Sequence, residues 1–328
     1  MTIRAPYPHL LALALTACAG AASDTQTAQV PGIPDANSLS SAKDYTKAAY
    51  PIVLAHGLFG WRTILGTVDY WYKIQDDLSS SGAQVFATEV TAAQSAETRG
   101  EQLLAQIEQI VAQTGAAKVN LVGHSQGGLD ARYVMGVRPD LIASLTTVAS
   151  PHLGADFADF LLDNTTPDGF GRKVIDVLGD GLGSVIDLIS GKDLSQPQDI
   201  VAALDTLSAT GSMAFNRKFP AGLASTSCGA TVASNGTIPL FSWAGSSTIT
   251  NPLDPIDLLL AATSLVYSDA NDGLVGRCSA HFGKVLRDDY TMNHLDEVNQ
   301  LLGLTSIFET SPVAVFRAQA NRLKVAGL

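Results

Sequence analysis

A mostly parallel β-sheet with helices on both faces, the α/β class, is predicted by three observations on this sequence. Short, continuously apolar runs of strand length alternate with stretches of helical periodicity, the pattern of a sheet buried on both sides. One of those runs leads straight into a glycine-flanked serine where a helix begins. The 328 residues are 46% hydrophobic, enough for one large core or two smaller ones.

The N-terminus stands outside that pattern. Residues 1–23 read as an export signal: Arg4 is its sole charge, Leu10 to Ala17 is a short apolar stretch, and small residues continue through Ser23. The stretch is too short to span a bilayer. Within it, "LTAC" ends at Cys18 in the manner of a lipobox, whose cysteine becomes lipidated; ordinary signal cleavage just past Cys18 is the other reading. Residues 24–44 are rich in Ala, Ser, Thr, Gln and Asp and hold too few large apolar side chains to order themselves, so they read as a flexible linker. Such a linker suits a globule held off a membrane.

The folded domain is expected over residues 45–328. "YPIVLAHG" gives a strand ending in a His-Gly turn, and "AQVFATEV" gives a second strand after a helix end near Asp76 to Ser81. "RGEQLLAQIEQIVAQTG" sets Leu103, Leu104, Ile107, Ile110 and Val111 on one helical face, with Gly115 as its stop. "KVNLVG", "LTTVAS", "IPLFSWAG" and "GKVLRD" supply further strands, and Asn235-Gly236 suggests a local hairpin. Residues 165–194 are apolar, punctuated by glycines and too long for an ordinary connection. They read as a helical lid over a cleft, with a pair of core helices as the alternative.

Charge and cysteine count narrow the function. A net charge of −11 leaves no basic stripe for a phosphate backbone, so nucleic acid is excluded as a partner. With Cys18 removed or lipidated, Cys228 and Cys278 remain as a pair in an exported chain, and a disulfide closing a ~50-residue loop is expected, worth about 4 kcal/mol.

The motif with the most chemistry is Gly123-His124-Ser125-Gln126-Gly127, G-x-S-x-G between a strand and a helix. Its glycines leave room for a strained turn that lifts Ser125 above the sheet at a helix N-terminus, where main-chain N–H groups meet a developing anion. The competing reading is a glycine-rich turn whose serine caps the helix. A serine nucleophile needs a base and an orienting acid. Among six histidines, His294 lies beyond the carboxyl end of "GKVLRD", where α/β sheets collect catalytic groups, whereas His281 precedes that strand and reads as a surface or structural histidine. Asp254, Asp257, Asp269 and Asp272 are the candidate acids, Asp272 mildly favoured because Gly273 permits a tight turn. Oxyanion donors are expected at the N–H groups of Gln126 and Leu58.

Together "YPIVLAHGLFG", "VNLVGHSQGG", "TNPLDPID", "ANDGLVGRCS" and "RDDYTMNHLDEVNQLLGLTS" resemble the true lipases of the Pseudomonas and Burkholderia group, bacterial lipase family I, which have the α/β-hydrolase fold. The resemblance runs from about Tyr45 to Leu328. It implies cleavage of triacylglycerol esters at a lipid–water interface, with Ser125 as nucleophile, Asp272 as acid, His294 as base, and Leu58 and Gln126 as oxyanion donors. It further implies one structural Ca2+ held by the carboxylates of Asp254 and Asp296 and the carbonyl oxygens of Gln300 and Leu304. The Cys228–Cys278 bridge, a mobile lid and a membrane-bound periplasmic foldase as folding partner are also implied. Gln126 stands where some relatives have histidine, a harmless change if only its main chain acts. The linker and "LTAC" depart from the secreted members and leave two destinations, the extracellular medium or a lipid anchor at Cys18 on the outer membrane. A carboxylesterase or polyester depolymerase with the same triad is the rival enzyme, and a surface-anchored binding protein without catalysis is the rival of another class.

Overall fold

The computed structural model describes residues 43–61, 63–64, 68–164 and 198–328. The expected export signal, nearly all of the linker and the lid at 165–194 lie outside the described residues.

The predicted strands form one sheet. Its members are β1 (Ile52–Ala55), β2 (Val85–Ala87), β3 (Val119–His124), β4 (Ile142–Val148), the two-residue β5 (Ser234–Asn235), β6 (Ile238–Gly245) and β7 (Lys284–Tyr290). The order runs β2-β1-β3-β4-β6, with β5 and β7 both pairing with β6. All pairings are parallel except β5 with β6, the hairpin that Asn235-Gly236 suggested.

Helices cover both faces: α1 (Ile74–Ser80), α2 (Ala96–Thr114), α3 (Gln126–Val137), α4 (Asp156–Asp163), α5 (Ile200–Leu207), α6 (Ala209–Lys218), α7 (Asp257–Thr263), α8 (Gln300–Gly303) and α9 (Pro312–Val325). The Ser95 side chain accepts from the Thr98 N–H to start α2, and Gly115 ends it in the left-handed conformation, as expected.

The period-two geometry of a strand splits the core in two. Val53 and Leu121 pack with Leu103, Ile107, Val134 and Met135 of α2 and α3. Their strand neighbours Ile52, Leu54 and Val122 pack on the opposite face with Trp71, with Ile74 and Leu78 of α1, and with Phe316 of α9. Because both faces are covered, β1, β3 and β4 are buried along their whole length. The loops that follow β1, β3 and β6 share the carboxyl edge of the sheet, where the chemistry gathers.

Candidate active site

Ser125 sits between β3 and α3 with φ 54° and ψ −129°, a backbone region a non-glycine residue occupies at a cost of about 1–3 kcal/mol. Surrounding bonds hold it there: the Ser125 N–H donates to the Val148 carbonyl at 2.8 Å, and the Gly128 N–H donates to the Ser125 carbonyl at 3.0 Å. The flanking glycines are required by contact. A Cβ on Gly123 would lie 2.3 Å from the Gly127 carbonyl oxygen, and one on Gly127 would lie 2.3 Å from that of Ala55. A capping role for Ser125 finds no support, since its side chain makes no cap hydrogen bond to α3.

His294 lies in the loop after β7, and its Nδ1 is 2.8 Å from Asp272 Oδ2. The other Asp272 oxygen accepts the N–H groups of Leu274 at 2.9 Å and Val275 at 2.7 Å, which fixes the carboxylate plane. Gly273 makes this turn with φ 100°. Both side chains are buried. Of the four candidate acids, Asp272 alone hydrogen-bonds His294. The Cys228–Cys278 disulfide is present and pins the segment that follows this turn.

The loop after β1 offers a donor at Leu58. Its neighbours are committed: the Gly57 N–H donates to the Tyr70 hydroxyl at 3.2 Å, Phe59 to the Ala92 carbonyl at 2.8 Å and Gly60 to the Gly57 carbonyl at 3.1 Å. Among the described residues the Leu58 N–H has no acceptor. The Gln126 N–H, in the first turn of α3, also lacks an intrahelical partner by its position. The Gln126 side chain instead reaches the Gln94 carbonyl at 2.7 Å, consistent with a role for its main chain only.

A buried guanidinium supports that loop, and sequence reasoning missed it. Arg99 of α2 gives Nε to Asp130 Oδ2 at 2.8 Å, Nη1 to the Thr91 and Ala92 carbonyls at 2.7 and 3.2 Å, and Nη2 to the His56 and Gly57 carbonyls at 2.7 and 3.2 Å. Five donors thus meet five acceptors. No local signal marks it, because only Thr91 and Ala92 are near it in the chain, while Asp130 comes from α3 and His56 and Gly57 from the loop after β1.

Beside the His294 loop, Asp254, Asp257 and Asp296 are buried together. Asp296 accepts from the Thr250 hydroxyl at 2.6 Å and the Asn293 N–H at 3.1 Å, while Asp257 accepts from the Asn293 amide at 2.8 Å. Burial, reinforced by Asp254 and Asp257, pushes the Asp296 carboxyl up to about 7. None of the three has a Lys or Arg partner among the described residues. Gln300, one turn on, donates its side-chain amide to the Asp69 and Tyr70 carbonyls, and Leu304 is half-buried just beyond.

His281 takes the structural place expected for it, with Nε2 2.8 Å from Asp288 Oδ2. His124 does more than its position beside Ser125 suggested: its ring centroid lies 4.6 Å from that of His294. Burial and the nearby His294 hold it well below the usual histidine range, so it is neutral. Buried Glu297 completes the floor, accepting from the Gly245 N–H through Oε1, while Oε2 makes no hydrogen bond among the described residues and lies 3.8 Å from His124 Nε2. Its carboxyl is raised, by burial first and then by Asp272.

Comparison with known proteins agrees with this architecture. Residues 50–297 match the family model described as the alpha/beta hydrolase fold. A triacylglycerol lipase of Vibrio cholerae serotype O1 is 49% identical over 289 residues, covering 88% of this chain and 92% of the relative. A triacylglycerol lipase of Burkholderia plantarii is 40% identical, covering 97% and 96%. The crystal structure of Bacillus licheniformis lipase BlEst2 in mature form superposes with a TM-score of 0.56 at 17% identity, covering 85% of this chain and 93% of that one, a likeness of fold alone. The chain is therefore a member of the α/β-hydrolase family and, within it, of the bacterial triacylglycerol lipases.

Proposed function

We propose that the protein hydrolyses the ester bonds of triacylglycerols with Ser125 as nucleophile, His294 as general base and then acid, and Asp272 as the orienting carboxylate. The 2.8 Å contact between His294 Nδ1 and Asp272 Oδ2 carries this reading, because it fixes the tautomer that leaves Nε2 free to accept a proton. His294 takes the Ser125 hydroxyl proton as Oγ adds to the ester carbonyl. The resulting oxyanion is met by the Leu58 and Gln126 N–H groups, each such donor being typically worth about 3 kcal/mol in the transition state. His294 returns the proton to the departing alcohol, and water activated by the same nitrogen then hydrolyses the acyl-enzyme.

The cation belonging to this reading is calcium, held by Asp254, Asp296 and the carbonyl oxygens of Gln300 and Leu304. What supports it is the chemistry of the donor set: buried, mutually repelling carboxylates with no basic partner among the described residues are hard oxygen ligands suited to a divalent cation. When bound, it would supply charge neutralisation and stiffen the loop carrying His294. The apolar leader and linker favour export, with a lipid anchor at Cys18 or release as the two destinations; the mass of the mature N-terminus separates them. By resemblance, a periplasmic foldase is the expected folding partner. Co-expression with and without the cognate foldase, read as yield of active enzyme, tests it.

The reaction is tested by turnover of emulsified long-chain triacylglycerol and of a dissolved short-chain ester, by the wild type and by Ser125→Ala. Both substrates are expected to turn over, and the variant to lose several orders of magnitude on each. Turnover of the dissolved ester alone would favour a carboxylesterase, and an unchanged rate in Ser125→Ala would remove the proposed nucleophile.

A further inference from the structure

We propose that Tyr70 and His124 are positioning residues, which lock the oxyanion loop to the loop carrying His294 through one continuous, one-way chain of hydrogen bonds. This rests on the catalytic reading of Ser125 and His294 above.

The direction of the chain follows from its last acceptor. His124 Nε2 lies 3.0 Å from the main-chain oxygen of His294, which has no proton to give, so Nε2 carries the proton. The neutral ring then leaves Nδ1 bare, and Nδ1 is 2.6 Å from the Tyr70 hydroxyl, which must donate to it. With its proton spent, the hydroxyl oxygen accepts the Gly57 N–H at 3.2 Å. Three hydrogen bonds therefore join Gly57 to His294 across the sheet edge, with Tyr70 and His124 both buried.

The geometry gives this chain a catalytic consequence. It commits the Gly57 N–H away from the substrate and leaves the adjacent Leu58 N–H for the oxyanion. Space around Gly57 is closed as well: a Cβ there would come 2.7 Å from Ser125 Cβ and 3.1 Å from the Tyr70 hydroxyl. Nucleophile, oxyanion loop and base loop thus share one rigid contact, and a displacement of about 1 Å in such a constellation costs on the order of a hundredfold in rate.

The experiment uses the full-length enzyme and a dissolved short-chain ester, with Tyr70→Phe, His124→Gln and the double variant. Tyr70→Phe keeps the ring that packs edge-on to Trp61 and Trp71 at 5.5 and 5.3 Å. We expect kcat to fall about ten- to a hundredfold in each, with KM within about twofold. A chain broken once cannot be broken again, so the double variant should be no slower than the slower single variant. Nitrogen NMR of the wild type should show His124 protonated at Nε2, and Tyr70→Phe should shift the Nδ1 resonance toward that of a nitrogen accepting no hydrogen bond. An unchanged kcat in Tyr70→Phe, multiplicative losses in the double variant, or a proton on Nδ1 would each overturn the proposal. If His124→Gln does not fold, kcat and the NMR signature of Tyr70→Phe decide. A fluorophosphonate probe separates the two levels of inference. Stoichiometric labelling of wild-type Ser125 beside an unaltered Tyr70→Phe defeats the chain alone, while no labelling of Ser125 defeats the catalytic reading and the chain with it.

Discussion

Asp272 and His294 are tied twice: Asp272 Oδ2 lies 2.8 Å from His294 Nδ1, and the His294 N–H donates to the Asp272 main-chain carbonyl at 3.0 Å. The second link survives a change of side chain. Asp272→Asn should therefore keep the loop in place while presenting an amide that disfavours the productive tautomer. A fall in kcat of about 10³- to 10⁴-fold with unchanged thermal unfolding is expected. A loss below tenfold would mean that another group orients the imidazole.

The elbow glycines predict a steric failure rather than a chemical one. In Gly127→Ala the new methyl meets the Ala55 carbonyl oxygen at 2.3 Å, main chain that cannot swing aside. A destabilisation of about 3 kcal/mol is expected, read as a drop of several degrees in the unfolding midpoint at roughly 2–4 °C per kcal/mol. A variant as stable as the wild type would show that the turn relaxes.

Arg99 and Asp130 predict a separation of stability from activity. Arg99→Met strands a buried carboxylate, and its loss should be about 3–5 kcal/mol. Adding Asp130→Leu removes the stranded charge and should restore much of the melting temperature. Turnover should stay low, because the His56 and Gly57 carbonyls have still lost the guanidinium that anchors their loop. Recovery of activity along with stability would confine Arg99 to a packing role.

Chelation should lower the melting temperature of the wild type, and added calcium should restore it by RT ln(1 + [L]/Kd), about 2.7 kcal/mol at a hundredfold excess over Kd. Asp296→Asn should abolish the calcium-dependent part. A melting temperature indifferent to both chelator and calcium would leave the acidic cluster without its cation.

Asp288 predicts a pH dependence of stability. Burial raises its carboxyl, but the hydrogen bonds from His281 and Arg277 outweigh that and hold it below the usual carboxylate range. A folded-state pKa below the unfolded value of about 3.9 gives stability that is full above that value and is lost as pH falls through the folded pKa. The melting-temperature gap between wild type and Asp288→Asn should be steady at neutral pH and close below about pH 4. A gap that persists in acid would assign the effect to packing.

Much of this architecture was legible because it is local. Strand runs such as "IPLFSWAG" carry their burial in unbroken apolar stretches, and β6 occupies those same residues. The elbow was legible because the steric demand of a tight strand-to-helix turn falls on residues within two positions of Ser125. His294 could be chosen over His281 because parallel sheets gather reactive groups at one edge. The choice among Asp254, Asp257, Asp269 and Asp272 was different, since residue physics left all four open with only a mild preference for Asp272, and the family resemblance settled it.

The sequence by itself determined the α/β class, the strand register of hydrophobicity, the serine turn and the cysteine pair, all of which depend on short-range stereochemistry or on composition. Tertiary structure placed Asp272 against His294, the acid that the resemblance had implied, and it alone decided that Arg99, Tyr70 and His124 support the site. Their decisive partners lie tens to hundreds of residues away, as with Arg99 to Asp130, Tyr70 to His124 and His124 to His294. A hydrogen bond made across such a distance leaves no periodic trace in the chain, because it exists only once the sheet has brought its loops to one edge.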